Sequence, residues 1–283
     1  MRAVVFGGTG LLGDSIYRNL TLKKYDCLKT SKKKKSNLKT NLLSKNVILR
    51  FLKKNRPQLI VNCAAETNVD LCNRNFNIAY NSNVLTVKNI VDALNQLKFD
   101  SLFIYISTDQ VYNSNKIKKT NHENEINISN IYAETKFLGE IEALKYHKSL
   151  IIRTNFYGKS LSKNRKSFSD YILSQLYQKK KIKMPSNIFF NPIHIDILNE
   201  IILKLIKKKA TGIFNIGSKD CISKYNFAIK IAKKFNLNKK NIIKYKSIYK
   251  NDQRPLCTYM ATKKLKKKIK IKIPLIKDGI KLI

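Results

Sequence analysis

The stretch Gly7-Gly8-Thr9-Gly10-Leu11-Leu12-Gly13 follows the apolar run Arg2–Phe6 (RAVVF) without a break. A short continuous apolar run ending in glycines reads as a buried strand entering a turn, and the residues after the turn open a helix. In that setting the glycines have separate duties. Gly7 permits the tight turn, Gly10 lets the backbone approach a pyrophosphate, and Gly13 lets the helix pack closely on the strand. The helix N-terminus, with its unsatisfied N–H groups, then faces the phosphates. A dinucleotide site is expected here, with Thr9, Leu11 and Leu12 completing the turn.

Outward from this turn the chain alternates. Tyr25–Thr30, Gln58–Cys63, Ser101–Ser107 (SLFIYIS) and Leu150–Thr154 (LIIRT) read as strands, several of them nearly continuous in apolar residues. Helical stretches lie between them: through about Lys23, over Ser44–Lys54, on to about Leu97, and over Tyr132–His147. Ser31–Lys39 reads as a polar loop. Continuous apolar strands separated by helices imply a parallel sheet covered on both faces. The expected class is therefore α/β, a Rossmann-type doubly wound parallel sheet with a smaller, mostly helical C-terminal substrate lobe. Residues 1–160 would form the NAD(P)-binding domain and 161–283 the lobe, with 191–217 returning to the main sheet. In the lobe, Ser167–Lys180, Asp196–Lys208 and Ile222–Phe235 read as helices, the last started by Ser223, and Gly212–Ile216 as a strand. The final fifty residues read as irregular and basic.

Composition bounds the function. With 43% hydrophobic residues in 283, the chain can build a substantial core. No window of about eighteen apolar residues occurs, so membrane insertion is not expected. The first residues are better explained as a strand than as a secretory signal. Five scattered cysteines (Cys27, Cys63, Cys72, Cys221, Cys257) argue for free thiols in a reducing cytoplasm rather than a disulfide framework or a zinc site. Cys63, within LIVNCAA, reads as a small core residue. The formal charge of +39 invites a nucleic-acid reading. Its lysines are spread over nearly every helix, however, and Lys, Asn and Ile dominate throughout, as a bias toward AT-rich codons would produce. Nucleic acid is not expected as a partner, whereas small anions such as nucleotides are attracted in any case.

The end of the second strand should read the adenosine ribose. An acidic residue there would favour NAD. The chain has Thr30-Ser31-Lys32-Lys33 instead, and hydroxyl and ammonium groups at Ser31 and Lys32 suit a 2′-phosphate. NADPH is therefore the expected cofactor, with NADH as the alternative.

The ordered set GGTGLLG, PQLIVNCAAETNVD (57–70), YISTDQVY (105–112), NIYAETKFLGE (130–140) and IIRTNFYG (151–158) resembles the extended short-chain dehydrogenase/reductases. It is most similar to the dTDP-4-dehydrorhamnose reductase family, and NPIHIDILNEII (191–202), GIFNIGS with ISKYNFAIKIA (212–232), and RPLCTYMATKKL (254–265) continue the likeness. The resemblance implies NADP(H)-dependent reduction of a nucleotide-linked 4-keto-6-deoxy sugar for a surface polysaccharide. It further implies a catalytic set of Thr108, Tyr132 and Lys136. Tyr132 would protonate the sugar oxygen, Lys136 would lower the phenol pKa and hold the nicotinamide ribose, and Thr108 would align the carbonyl. Ala64, Ala65 and Glu66 would pass along the cofactor, with Glu66 where a histidine is frequent. Asn41 and Leu42 would lie near the adenine, Asn41 standing where the family usually has Asp. Asp109, Phe156 and Arg254 are candidates for the substrate, Arg254 for its diphosphate.

Two departures narrow the chemistry. Related 4,6-dehydratases carry Thr-Asp-Glu where this chain has Thr108-Asp109-Gln110, and a carboxamide cannot exchange a proton near neutral pH. Reduction therefore fits better than dehydration. Bifunctional epimerases of this fold use additional Cys and His groups, for which Cys63 and His194 qualify by type alone, and a sugar-nucleotide epimerase remains an alternative. Another is a non-catalytic regulatory subunit like the beta subunit of methionine adenosyltransferase, and a homodimer is left open. No metal site is expected. The Tyr132/Lys136 spacing itself recurs at Tyr25/Lys29, Tyr112/Lys116, Tyr177/Lys181 and Tyr259/Lys263. Only Tyr132 follows a strand ending in Ser-Thr and starts the helix expected to return to the cofactor.

Overall fold

The computed structural model describes residues 1–31, 38–114, 120–160, 166–248 and 254–283. Its first half contains β1 (Arg2–Phe6), α1 (Leu11–Leu22), β2 (Asp26–Ser31), β3 (Leu38–Lys39), α2 (Lys45–Asn55), β4 (Leu59–Asn62), α3 (Val69–Arg74), α4 (Phe76–Tyr80), α5 (Thr86–Gln96), β5 (Leu102–Thr108), α6 (Ile131–Leu144) and β6 (Ser149–Thr154). The remainder contains β7 (Phe156–Tyr157), α7 (Phe168–Tyr177), β8 (Ile182–Pro185), β9 (Phe189–Phe190), β10 (Ile193–His194), α8 (Ile195–Lys207), β11 (Gly212–Ile216), β12 (Ile222–Ser223), α9 (Lys224–Lys234), β13 (Ile242–Tyr245), α10 (Lys263–Ile269) and α11 (Ile276–Ile280).

Among the described residues seven strands form one sheet in the order β11-β6-β5-β4-β1-β2-β3. β1 pairs in parallel with both β2 and β4, and β4 with β5. From β1 the chain builds outward through β2 and β3, then crosses back to continue through β4, β5 and β6 on the other side. That reversal makes β1 and β4 the switch point, the place where open α/β sheets hold ligands beyond their carboxyl ends. Val4, Phe6, Ile60, Phe103, Tyr105 and Ile151 share a core with Ile48 and Leu52 of α2, Val87 and Ile90 of α5, and Ala143 of α6. The alternate residues Ala3, Val5, Leu59, Val61 and Ile104 are just as buried, so both faces of the sheet are covered. The expected doubly wound Rossmann-type architecture is present.

The chain forms two compact units that interleave along the sequence. The first holds Met1–Thr108, Asn130–Arg153 and Leu203–Phe214, and the second Asp109–Ser129, Thr154–Ile202 and Asn215–Ile283. Where a single boundary near residue 160 is expected, the chain crosses between units at several points. β11 lies beside β6, whereas β10 pairs with β7. The second unit has its own core, in which Tyr157, Phe168, Phe190 and Phe227 pack ring against ring over Ile172, Ile231 and Ile276.

Two readings need correction. The tract expected to be a polar loop ends in β3, which pairs with the end of β2. The final fifty residues contain β13, α10 and α11, which Lys-rich composition conceals. Leu265 and Ile269 are buried on one side of α10 while Lys266–Lys268 lie exposed on the other. Among the described residues no helix is long and apolar enough to cross a membrane.

Among the described residues seven other than glycine have positive φ: Lys24, Arg56, Lys98, Lys179, Lys209, Asn236 and Lys270, at 42° to 62°. Each stands just past a helix, where the left-handed conformation ends the hydrogen-bond ladder and glycine is the usual occupant. A β-carbon there costs about 1–2 kcal/mol. Lys179→Gly and Lys270→Gly are each expected to stabilise the chain by about 1 kcal/mol. Urea unfolding should show this as a higher midpoint with an unchanged slope.

Candidate functional site

The site in the first unit begins at the turn after β1. Gly7 has φ +73°, and a β-carbon there would sit 2.6 Å from the backbone nitrogen of Ala64, which follows β4. A β-carbon on Gly13 would run into the Gly7 carbonyl. The turn is closed by the Gly10 N–H donating to the Gly7 carbonyl at 2.9 Å, and the Gly8 N–H ties it to Thr30 at 3.0 Å. Gly10 caps α1 in an extended conformation and offers no side-chain acceptor. The first N–H groups of the helix are thus left for an outside anion. Side-chain-free backbone, an uncapped helix and a switch-point position together fit a dinucleotide pyrophosphate. Thr9 and Leu11 are half-buried beside this opening, whereas Leu12 points into the core.

Ser31 is buried at the end of β2, and Lys32 lies outside the described residues. Lys29, one turn of the strand earlier, is committed elsewhere. Its ammonium bonds Asp14 of α1 at 2.8 Å, and Arg18 bonds the other carboxylate oxygen at 2.8 Å. Burial pushes the Asp14 carboxyl up, but the two cations outweigh it and hold the pKa below the ordinary value. Asn41 is exposed and accepts from the Leu43 N–H, while the Leu42 side chain belongs to the sheet's core. Only the Leu42 backbone faces a partner, its carbonyl accepting from Asn89 at 3.1 Å.

After β4, Ala64, Ala65 and Glu66 are half-buried. The Glu66 carboxylate folds back onto its own loop, accepting from the N–H groups of Thr67 and Asn68 at 2.9 Å each. Asn83 clamps the backbone of Glu66 by accepting from its N–H at 2.9 Å and donating to its carbonyl at 3.2 Å. Asn83 lies in a π-helical turn, Asn81–Leu85, between α4 and α5. Such a bulge turns an interior side chain toward the loop opposite. Nothing in the residue type distinguishes Asn83 from the chain's many other asparagines, so the sequence alone carries no signal for it.

α6 carries Tyr132 and Lys136 one turn apart. Asn130 caps the helix by accepting from Ala133 at 2.8 Å, and Asn73 accepts from Ile131 at 3.0 Å. Tyr132 is 8% exposed and packs with Val69, Cys72 and Ala79. Gly139 lets α6 settle on β5, because a β-carbon there would strike the Asn83 carbonyl and the Tyr105 hydroxyl. Lys136 is 2% exposed; its ammonium donates to the Ile106 carbonyl at 2.6 Å and lies 4.1 Å from the centre of the Tyr105 ring. Thr108, buried, ends the same strand two residues further on.

Behind this face Glu140 and Arg153 form an ion pair with both side chains 1% exposed. The guanidinium reaches both carboxylate oxygens, at 2.5 Å to 3.1 Å, and Ser107 donates to the same carboxylate at 2.5 Å. Both ions sit inside segments whose likeness to a family is legible, and an arginine in the apolar strand LIIRT is itself a signal of a buried partner. Burial pushes the Lys136 ammonium down to about 7, against the pull of Glu140 and of Cys63. Burial likewise raises the Cys63 thiol to about 12, with Lys136 pulling the other way. Among the described residues no group of three or more His, Cys, Asp or Glu side chains could hold a metal ion.

The second unit contains a cavity of about 180 Å³ lined by Asp109, Gln110, Asn155, Phe190, Lys224 and Arg254, among others. Asp109, buried, accepts from Thr258 at 2.6 Å and from Asn155 at 3.0 Å. Two cations and an aromatic wall around a fixed carboxylate suit an anionic, hydroxylated ligand. Asp109 and Arg254 are the sequence candidates that line this cavity; Asn155, Phe190, Lys224 and Thr258 reach it only through the fold, and no local pattern marks them. Phe156, half-buried in β7, is not among the lining residues, and His194 is buried with its ring edge against Tyr157.

A doubly wound parallel sheet with this glycine turn at its switch point defines a Rossmann-type protein. The chain belongs to the RmlD substrate binding domain family, whose profile matches residues 1–283. It is 26% identical over 238 residues to the spore coat polysaccharide biosynthesis protein SpsK of Bacillus subtilis, covering 83% of this chain and 80% of that one. It is also 26% identical over 254 residues to the methionine adenosyltransferase 2 subunit beta of Danio rerio, covering 86% and 76%. Among solved structures, the dTDP-4-dehydrorhamnose reductase of Bacillus anthracis, in complex with NADP, superposes with a TM-score of 0.89 at 23% identity over 99% of this chain and 97% of that one.

Two predictions follow from the buried charges. Glu140→Gln leaves a buried guanidinium unpaired and should cost about 3–5 kcal/mol, whereas Glu140→Leu with Arg153→Met should restore most of it. Lys136 titrates near 7 when folded and near 10.5 when unfolded, so the unfolded chain holds the extra proton between those values and stability rises with pH across them. Lys136→Met should therefore be more stable than the parent at pH 7, by a margin that shrinks as the pH approaches 10. Paired urea titrations at the two pH values measure the difference.

Proposed function

We propose that the chain is an NADP(H)-dependent reductase of a nucleotide-linked 4-keto-6-deoxy sugar, serving polysaccharide synthesis. The observation that carries this reading is the placement of Tyr132 and Lys136 on α6 beside the end of β5, in the same unit as the turn after β1. A reduced nicotinamide supplies the hydride for the carbonyl carbon. Tyr132 delivers the proton to the carbonyl oxygen from its phenol, and Thr108 holds that oxygen by a hydrogen bond. Lys136, when protonated, stabilises the phenolate left behind. Its depressed pKa makes that charge sensitive to anything bound beside it. Within the second unit, Asp109 and Asn155 would orient sugar hydroxyls, and Arg254 with Lys224 would neutralise a diphosphate. NADP is favoured over NAD because the end of β2 carries no carboxylate, and the similar Bacillus anthracis protein was solved with NADP.

The second reading is a regulatory subunit that binds the cofactor without turnover, favoured by the similarity to methionine adenosyltransferase 2 subunit beta. Turnover separates the two. The purified chain should oxidise NADPH only when given a 4-keto sugar nucleotide. Tyr132→Phe should lower kcat about 10²–10⁴-fold while leaving NADPH affinity within about twofold, and Arg254→Ala should raise KM for the sugar nucleotide more than it lowers kcat. Tight NADPH binding with no reduction of any 4-keto sugar nucleotide would establish the regulatory reading instead.

A further inference from the structure

A second, larger cavity lies at the amino-terminal edge of the sheet in the first unit, opposite the turn after β1. It measures about 770 Å³ and is lined by residues that immediately precede β1, β2, β4, β5, β6 and β11. Winding strands and helices into a parallel sheet brings every helix-to-strand connection to this one edge. Tyr25, Pro57, Phe99, Leu102 and Ile206 give the groove an apolar floor. Pro57 and Ile206 are buried, while Tyr25, Phe99 and Leu102 keep part of their surface open.

Five cations line the groove: Arg56, Lys98, Lys148, Lys207 and Lys209. The single carboxylate in the lining, Asp100, is taken by an ion pair with Lys148. Among the described residues the side chains of the other four have neither a carboxylate nor a hydrogen-bond partner. Cations at helix C-termini do offset the helix dipole, and that accounts for a lysine at the end of a helix. It does not account for four unpaired cations drawn around open aromatic and aliphatic surface.

We propose that this groove docks an acidic peptide segment of a partner protein, seating apolar side chains on Tyr25, Pro57 and Phe99 and its carboxylates against the four unpaired cations. The cations stand on separate connections, at 56, 98 and 207–209, which suits charges strung along a peptide. Nucleic acid would need a row of aromatic faces on which to stack successive bases, and the groove offers only two aromatic residues, each partly covered. The inference is independent of the catalytic reading, because none of these residues belongs to the Tyr132 site.

Fluorescence polarisation tests it on the full chain with NADPH present, in about 0.15 M salt to suppress distant charge effects. The probe is a labelled peptide alternating Glu with Leu and Phe. Lys98→Glu with Lys207→Glu should weaken binding at least about tenfold, and Lys98→Ala with Lys207→Ala should weaken it less but in the same direction. Lys239→Glu with Lys240→Glu, exposed on the second unit, serves as the control for overall charge and should change affinity less than about twofold. Replacing Leu and Phe of the probe by Ser should also weaken binding. Equal losses in the groove and control variants would reduce the groove to general attraction by a basic chain and overturn the proposal. So would absence of binding to the parent, or a thymidine oligonucleotide that binds more tightly than the peptide through the same lysines.

Discussion

The ion pair between Glu140 and Arg153 holds the candidate site in place. Neither charge reaches water, so each is tolerable only while the other stays in bidentate contact. Glu140 lies on α6 and Arg153 on β6, and Ser107 of β5 completes the carboxylate's shell. One rigid contact therefore joins three elements. α6 cannot slide along its axis or roll about it without stranding an ion, and Tyr132 and Lys136 inherit that fixity. Lys136 depends on it more directly, since its own burial is offset in part by the same carboxylate.

The architecture was legible because it rests on period and punctuation. RAVVF followed by GGTGLLG states a strand, a tight turn and a helix, and the continuous runs LIVN and SLFIYIS can only be strands covered on both faces. Gly212–Ile216 was likewise visible as a strand. What stayed hidden had no local signature. β3 is two residues long and is a strand only because the end of β2 is beside it. α10 is obscured because five of its seven residues are lysine. Leu42 shows a different limit: a resemblance assigns the position to the adenine, while its packing with the sheet's core comes only from the fold. Asn83 and Thr258 act through partners 17 and 149 residues away in sequence, to Glu66 and Asp109, and no window reading could join them.

The charge of the chain takes on two meanings once it is distributed over the structure. Most lysines cover helix faces and do no more than solvate them. Others are spent in place, as Lys29 is on Asp14 and Lys136 on a buried carbonyl. Lys98, Lys207 and Lys209, around the groove at the amino-terminal edge, belong to neither group. A high background of lysine hides a specific cluster from composition, and only the unpaired state of the side chains around an apolar floor brings it out.

The left-handed positions held by lysine, arginine and asparagine turn composition into a sieve. A coding bias that puts lysine where glycine is the natural occupant spares a glycine only where a side chain is intolerable. Of the nine glycines, seven would bring a β-carbon within 3.0 Å of another atom, and Gly212 has open space but φ +83°. Gly10 alone meets neither condition, having a negative φ and no neighbour nearer than 3.2 Å. Inside the folded chain only the Gly7 carbonyl, 3.2 Å from where its β-carbon would stand, crowds a side chain there. A molecule from outside the polypeptide, seated at the uncapped start of α1, would give that position a second reason to stay bare.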